Sequence, residues 1–299
     1  MKKIIFFTQN RWAFGSIHHG LCKELYKHNI YANLLDEDGI YTKEEYQLLN
    51  EQYDLFVTNP DKVISLHTKS GIPLNKIVAV AHGQWDILLA NHQNGDIYPH
   101  IHSFGVISNI LKSKCKEWNI SVEPKVVETG IHFDLFYAKP SEQLKIIGYG
   151  GAKHTHNFYG QEIKRGHLVE RACESIKDIQ LQASGSYNHL CMPAYYKTVD
   201  CIIMSSMEEA GGLPMLEAAA AGRLPIGTPV GFFEESAPKG GGILVPLEEN
   251  EFVEQTKQTI LYYRDNPKEY IDKCLEVQAY ARDHYDWSKK IKAWVELLG

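Results

Sequence analysis

The stretch EEAGGLPMLEAAAAGRLPIGTP, residues 208–229, decides how this chain is read. Two carboxylates, Glu209 and Glu217, bracket a Gly-Gly turn and a proline, and an almost wholly alanine segment follows. A solvated surface helix mixes charges along its outer face. This one has none between Glu217 and Arg223. The preceding VDCIIMS reads as a strand ending near Ser205, and LPIG opens another at Leu224. The intervening residues therefore form a loop and a short helix joining parallel strands. Pro214 suits the first helical position, where its missing N–H would be unpaired anyway. Gly222 suits the helix stop. Gly211 and Gly212 leave bare backbone ahead of the helix, so its N–H groups and positive dipole end can meet an anion. Glu217 is expected in the first turn, pointing back toward the same spot. Phosphate oxygens suit the N–H groups, and a carboxylate suits vicinal hydroxyls. A carboxylate on either side of a phosphate seat implies a hydroxyl-bearing ring on each side, as in a nucleoside diphosphate sugar.

The rest of the chain supports a large soluble frame around this stretch. Its 299 residues suffice for about two domains. The apolar fraction of 44% and charged fraction of 23% are those of a globular protein. A net charge of −6 without a basic tract argues against nucleic acid as a partner. The first apolar run, residues 4–7, is too short for a secretory segment and reads as a buried strand. No run approaches the roughly 20 residues of a spanning helix. The six cysteines are scattered without close pairing, which suggests reduced thiols and a cytoplasmic location.

Short apolar runs alternate with amphipathic stretches. KIIFF (3–7), YANLL (31–35), LFVT (55–58), KIVAVA (76–81), FGVISN (104–109) and KVVET (125–129) read as strands. GSIHHGLCKELYKHN reads as the helix after the first. Continuous apolar runs suggest strands covered on both faces, hence a parallel sheet with crossover helices. The pattern breaks at FDLFYAKPSEQ, which reads as a linker around Pro140. It restarts with LKIIGYGG (144–151), the helix HLVERACESI and the strands IQLQASG, VDCIIMSS, RLPIGTP and GGGILVP, and ends in three helical patterns. Two successive α/β units, with a ligand cleft between them, are expected.

Here the residues carry a resemblance. EAGGLPMLEAAAAGRLPIGT looks like the E-x7-E motif of the retaining GT-B glycosyltransferases of family GT4, the glycosyl transferases group 1. Glu209 and Glu217 match the two glutamates. Gly212, Leu213 and Pro214 match the turn, and Gly222 and Pro225 the helix exit. Ala210 and Gly211 replace the usual glycine and aromatic. VAVAHG places His82 like the family's histidine after the fourth strand, VVETGIHFDLF resembles the segment closing the first domain, and YYKTVDCIIMSS resembles the run before the motif. HYDWSKKIKAWVELL is similar to a last helix that crosses back onto the first domain.

The resemblance implies a GT-B fold of class α/β, with two Rossmann-like domains whose parallel sheets face each other across a cleft. Residues 1–138 would form the acceptor-side domain, with the helix 286–299 packed back on it, and 139–285 the donor-binding domain. It further implies a metal-independent, retaining hexosyltransferase-like enzyme that moves a sugar from a nucleotide-diphosphate sugar to a hydroxyl acceptor, needing no cofactor. Glu209 and His82 would be the catalytic positions, Glu209 and His82 both meeting the sugar. Glu217 would hold the ribose. The family's phosphate-binding Gly-Arg after the second domain's first strand is absent, since GYGGAK has no arginine. Gly212, Leu213, Arg165 and Lys164 would then hold the diphosphate, with Gly151 also on the donor and Lys153 replacing the missing arginine. Trp12, Phe14, Gly15 and Trp85 are placed on the acceptor side by analogy. The acceptor is a glycan, a glycolipid or a small molecule, and a weak association with a membrane surface is admitted. Two alternatives stay open: a non-catalytic nucleotide-sugar or glycan-binding protein that kept the fold, and a phosphorylase-like enzyme. Histidines at HIH and KHTH lack partnered cysteine or acid and read as loop residues, so no metal is expected.

Overall fold

The computed structural model describes residues 1–9, 13–150, 153–157, 160–185, 187–209 and 211–299, with backbone alone at 13 and 14. The chain divides into two compact units, Met1–Gly130 with Trp287–Gly299, and Ile131–Asp286. The division thus falls earlier than the 138/139 boundary suggested by the sequence.

In the first unit β1 (Lys2–Thr8), α1 (Ala13–Lys27), β2 (Ile30–Asp36), α2 (Lys43–Gln52), β3 (Leu55–Thr58) and α3 (Val63–Ser70) are followed by β4 (Ile77–Ala81), α4 (Gln84–Asn94), β5 (Ser103–Val106), α5 (Asn109–Glu117) and β6 (Lys125–Val126). All pairings are parallel, in the order β2-β1-β3-β4-β5-β6. β3 and β4 are buried at every position, as continuous apolar runs require of strands covered on both faces. Two strands of this unit stop short of their expected ends. FGVISN stops at Val106 because Ser108 caps α5, its Oγ accepting the Leu111 N–H at 3.2 Å. KVVET pairs only over Lys125 and Val126.

The second unit runs α6 (Phe133–Phe136), β7 (Ile146–Tyr149), α7 (Gly166–Glu174), β8 (Gln180–Ala183), α8 (Met192–Tyr196), β9 (Cys201–Met204), α9 (Leu213–Ala220), β10 (Leu224–Gly227), α10 (Phe232–Ser236), β11 (Ile243–Leu244), α11 (Glu249–Asp265) and α12 (Pro267–His284). Its parallel sheet has the order β11-β10-β9-β7-β8. The expected linker is corrected at its start. Phe133 and Phe136, three apart, both bury, so FDLF folds as the turn of helix α6 packed on α9. The apolar stripe of HLVERACESI holds: Leu168, Val169, Ala172, Cys173 and Ile176 are all buried.

The last helix, α13 (Trp287–Leu298), belongs to the first unit and packs on α1 and β5. Its Trp287 lies so close to Gly20 and Gly130 that added Cβ atoms would fall 2.4 and 2.7 Å from the indole. All six cysteines are unpaired, and no described helix is long and apolar enough to cross a membrane.

Each unit has a topological switch point. The chain leaves β1 for β2 on one side and reaches β3 on the other; it leaves β7 for β8 on one side and β9 on the other. Ligands of open α/β sheets sit at the carboxyl ends of such strands.

Candidate active site

At the switch point of the second unit, Tyr149 of β7 pairs with Ile203 of β9, so the loops after both strands start side by side. Gly150 follows β7. A Cβ there would stand 2.7 Å from the Pro214 Cβ, so glycine lets the start of α9 close on the strand end. Gly212 is the N-cap of α9, with φ +52°, and as a glycine it has no side chain to cap that end. This left-handed residue turns the chain directly into the helix. Leu213 is therefore the first helical residue, Pro214 the second, and Glu217 lies in the second turn, not the first. The proline still costs no hydrogen bond, because the first four N–H groups lack intrahelical partners. Gly222, with φ +66°, follows the helix end as expected. Ala218, Ala219, Ala220 and Ala221 have no exposed surface, and α9 packs on α6 and α12.

Glu217 is only 4% exposed, and burial pushes its carboxyl up to about 8. The Tyr196 hydroxyl donates to its Oε2 at 2.7 Å. Glu209 is engaged differently. Its Oε1 accepts from Ser206 Oγ at 2.8 Å and is paired with the Lys164 ammonium.

The segments 163–165 and 205–209 are laced together. Ser205 Oγ bridges the carbonyls of Lys164 and Arg165 at 2.8 and 2.9 Å, and the Met207 N–H donates to the Ile163 carbonyl at 2.7 Å. Arg165, expected on the diphosphate, is 3% exposed and turned inward. Its Nε donates to the Ser205 carbonyl and Nη1 to that of Leu247, each at 2.8 Å. Only Nη2 has no partner among the described residues. The guanidinium braces the loop. Arg165→Ala should destabilise the protein by about 2–4 kcal/mol, because the buried Ser205 carbonyl loses a charge-assisted donor. Urea unfolding that left stability unchanged would contradict the brace. Lys153 lies beside the start of α7, its carbonyl accepting the Gly166 N–H at 3.1 Å and its ammonium paired with Glu170. The structure thus joins Lys164, Arg165 and Glu209 in one bonded cluster and sets Lys153 on α7. Gly151 lies outside the described residues.

In the first unit His82 follows β4 and is 7% exposed. Its N–H and that of Gly83 donate to Asp86 Oδ2 at 2.7 and 2.9 Å. The ring stands edge-on to His18, with centroids 5.5 Å apart. Burial lowers the His82 imidazole to about 4, so it is neutral at pH 7 and offers one donor and one acceptor. Burial also raises Asp86 to about 7, against the two backbone donors. Gly15 is buried within α1, and Trp85 is half-buried in the first turn of α4. Trp12 and the side chain of Phe14 lie outside the described residues. Beside this switch point, a hollow of about 500 Å³ is lined by Glu37, Asp38, Tyr41, Tyr46, Lys62 and Lys69, among others. No group of three metal-ligating side chains occurs among the described residues.

Two contributors escaped the sequence reading. Asp86 has a readable signal, an acid three positions after the N-cap Gly83, which is the second half of a capping box. Tyr196 reads from sequence as packing, and nothing local announces that its hydroxyl reaches Glu217.

Comparison with known proteins places this geometry. Residues 138–274 match the family model of glycosyl transferases group 1. No curated protein sequence matches the chain. Among solved structures, Anabaena HepE in complex with UDP-glucose is 14% identical, with a TM-score of 0.74 over 100% of this chain and 99% of that one. Sucrose-phosphate synthase from Thermosynechococcus elongatus is 14% identical, with a TM-score of 0.70 over 99% and 98%. The catalytic domain of starch synthase IV from Arabidopsis thaliana, bound to ADP and acarbose, is 12% identical, with a TM-score of 0.69 over 100% and 98%. The fold is GT-B. The chain is a glycosyltransferase enzyme, and the match to the group 1 model lies within the second unit.

Proposed function

We propose that this enzyme is a retaining transferase that moves a sugar from a nucleotide-diphosphate sugar to a hydroxyl acceptor, without a metal or other cofactor. The observation that carries the reading is the uncapped, glycine-led start of α9 at the sheet switch point, with Glu209 before it and Glu217 behind it. The UDP-glucose of HepE and the ADP of starch synthase IV support a nucleotide donor.

In this reading Glu217 takes the ribose hydroxyls, and the N–H groups around Gly212 and Leu213 take phosphate oxygens. Lys164 exchanges Glu209 for the diphosphate, which frees the Glu209 carboxylate for the donor sugar. Arg165 acts mainly through the loop it braces. His82, a neutral imidazole, is a hydrogen-bonding partner for the sugar. The bond between the anomeric carbon and the phosphate oxygen breaks, and the acceptor oxygen bonds to the same face. The acceptor proton passes to the departing phosphate oxygen. The hollow lined by Glu37, Asp38, Tyr41 and Tyr46 suits a hydroxyl-rich acceptor, since carboxylates take hydroxyl donors and rings take apolar sugar faces.

The test is donor consumption and product configuration, read by NMR after exhaustive chelation with a panel of nucleotide sugars. Activity should persist, with the anomeric configuration of the donor kept. An inverted product, or activity restored only by manganese or magnesium, would overturn the reading.

A further inference from the structure

The Tyr196–Glu217 pair holds more than packing requires. Tyr196 ends α8 and is fully buried, with Phe136 of α6 standing edge-on to its ring at 6.0 Å. Its carbonyl accepts from Arg223 Nε at 2.7 Å, and Arg223 Nη1 is tied to the Lys139 carbonyl at 2.8 Å. The ring is thereby fixed from both its backbone and its face. Among the described residues its hydroxyl has one partner, Oε2 of Glu217, at 2.7 Å. A glutamate side chain has three rotatable bonds. One strong bond to a fixed donor removes most of that freedom and leaves Oε1 to be aimed.

From this we propose that Tyr196 is a positioning residue for nucleotide recognition, holding one oxygen of Glu217 so that the other meets the ribose. This rests on the reading of Glu217 as the ribose carboxylate. Around the pair, the other ionisable groups among the described residues are few. Tyr195 donates instead to the carbonyls of Gln182 and Tyr149, α12 brings the neutral amide of Gln278 to the Ala220 carbonyl, and Arg223 points at backbone oxygens. Burial and the adjacent Glu217 keep the Tyr196 phenol protonated, so it is a donor throughout the working range. That bond favours the Glu217 anion, while burial opposes it. Ribose hydroxyls donating to the carboxylate would favour the anion further. Affinity should therefore rise with pH through the carboxyl's titration.

The experiment titrates UDP, ADP, GDP and CDP and their 2′,3′-dideoxy counterparts against wild type, Tyr196→Phe, Glu217→Gln and the double variant, from pH 6 to 9. Wild type should prefer the ribonucleotide over its dideoxy form. Tyr196→Phe should lose about five- to tenfold in ribonucleotide affinity, keep dideoxy affinity, and shift the pH midpoint upward. In the Glu217→Gln background it should cost nothing further in ribose preference. Should Tyr196→Phe fail to fold, 3-fluorotyrosine at 196, a stronger donor of nearly equal size, should shift the midpoint downward. If Glu217→Gln abolishes ribose preference but the Tyr196 changes leave preference and midpoint untouched, the positioning role is wrong and the ribose role stands. Equal losses for ribo- and dideoxynucleotides would make Tyr196 merely structural. No ribose preference in wild type, or no nucleotide binding, would remove the reading beneath the proposal.

Discussion

Glu209→Gln should lower turnover about a hundredfold or more while leaving nucleoside diphosphate affinity within a few fold of wild type. The substitution keeps size and one acceptor oxygen but removes the charge that, in the proposed reading, faces the reacting sugar. Losing one oriented electrostatic group at a reaction centre costs about 10²–10³ in rate. The direction of the affinity change follows from the ion pair. Lys164 is paired with Glu209, so removing that carboxylate leaves the ammonium available to the diphosphate. Binding should hold or tighten. Single-turnover kinetics beside calorimetric titration separates the two effects. A variant with full turnover would place Glu209 outside the chemistry. A variant that chiefly loses nucleotide affinity would exchange the roles of the two glutamates.

Glu217→Ala should weaken nucleoside diphosphate binding roughly ten- to hundredfold, since hydrogen bonds to a charged group are worth about 1.5–3 kcal/mol. The fold should survive, and stability supplies a second signature. The folded carboxyl titrates at about 8, above its ordinary value of 4.5. The folded state therefore binds its proton more tightly than the unfolded chain, and this site's contribution to stability falls as pH rises from about 4.5 to 8. Glu217→Gln removes that dependence and keeps an oxygen for Tyr196. Its melting temperature relative to wild type should climb between pH 5 and pH 8. A constant difference across that window would mean the carboxylate is not buried as described.

How much of this was legible in the sequence depends on which interactions carry each feature. The apolar runs LFVT and VDCIIMS became β3 and β9 almost unshifted, because burial on both faces is written into continuous apolar residues. Gly222 ended its helix because its positive φ is a local need. The motif glutamates were visible for the same reason, since glycine, proline and alanine around them each have a local meaning. The cations were not. Arg165 finds its partners on Ser205 and Leu247, far along the chain, and an arginine reads the same whether it meets a phosphate or a carbonyl. Lys164 reads as a phosphate ligand, and nothing local announces its pairing with Glu209, 45 positions on. The start of α9 moved by one residue because Gly212, not Leu213, takes the left-handed turn. The buried FDLF turn was missed because two phenylalanines beside a proline-bearing segment give too short a pattern to separate from a linker.

The most direct measurement is a crystal structure of the enzyme with an intact nucleotide-diphosphate sugar, using Glu209→Gln to slow turnover. The predicted result puts the ribose hydroxyls within hydrogen-bonding distance of Glu217, the diphosphate against the backbone N–H groups at Gly212 and Leu213 with Lys164 moved onto it, and the sugar beside residue 209. A nucleotide bound with its diphosphate away from the start of α9, or with Glu217 touching nothing of the donor, would contradict it.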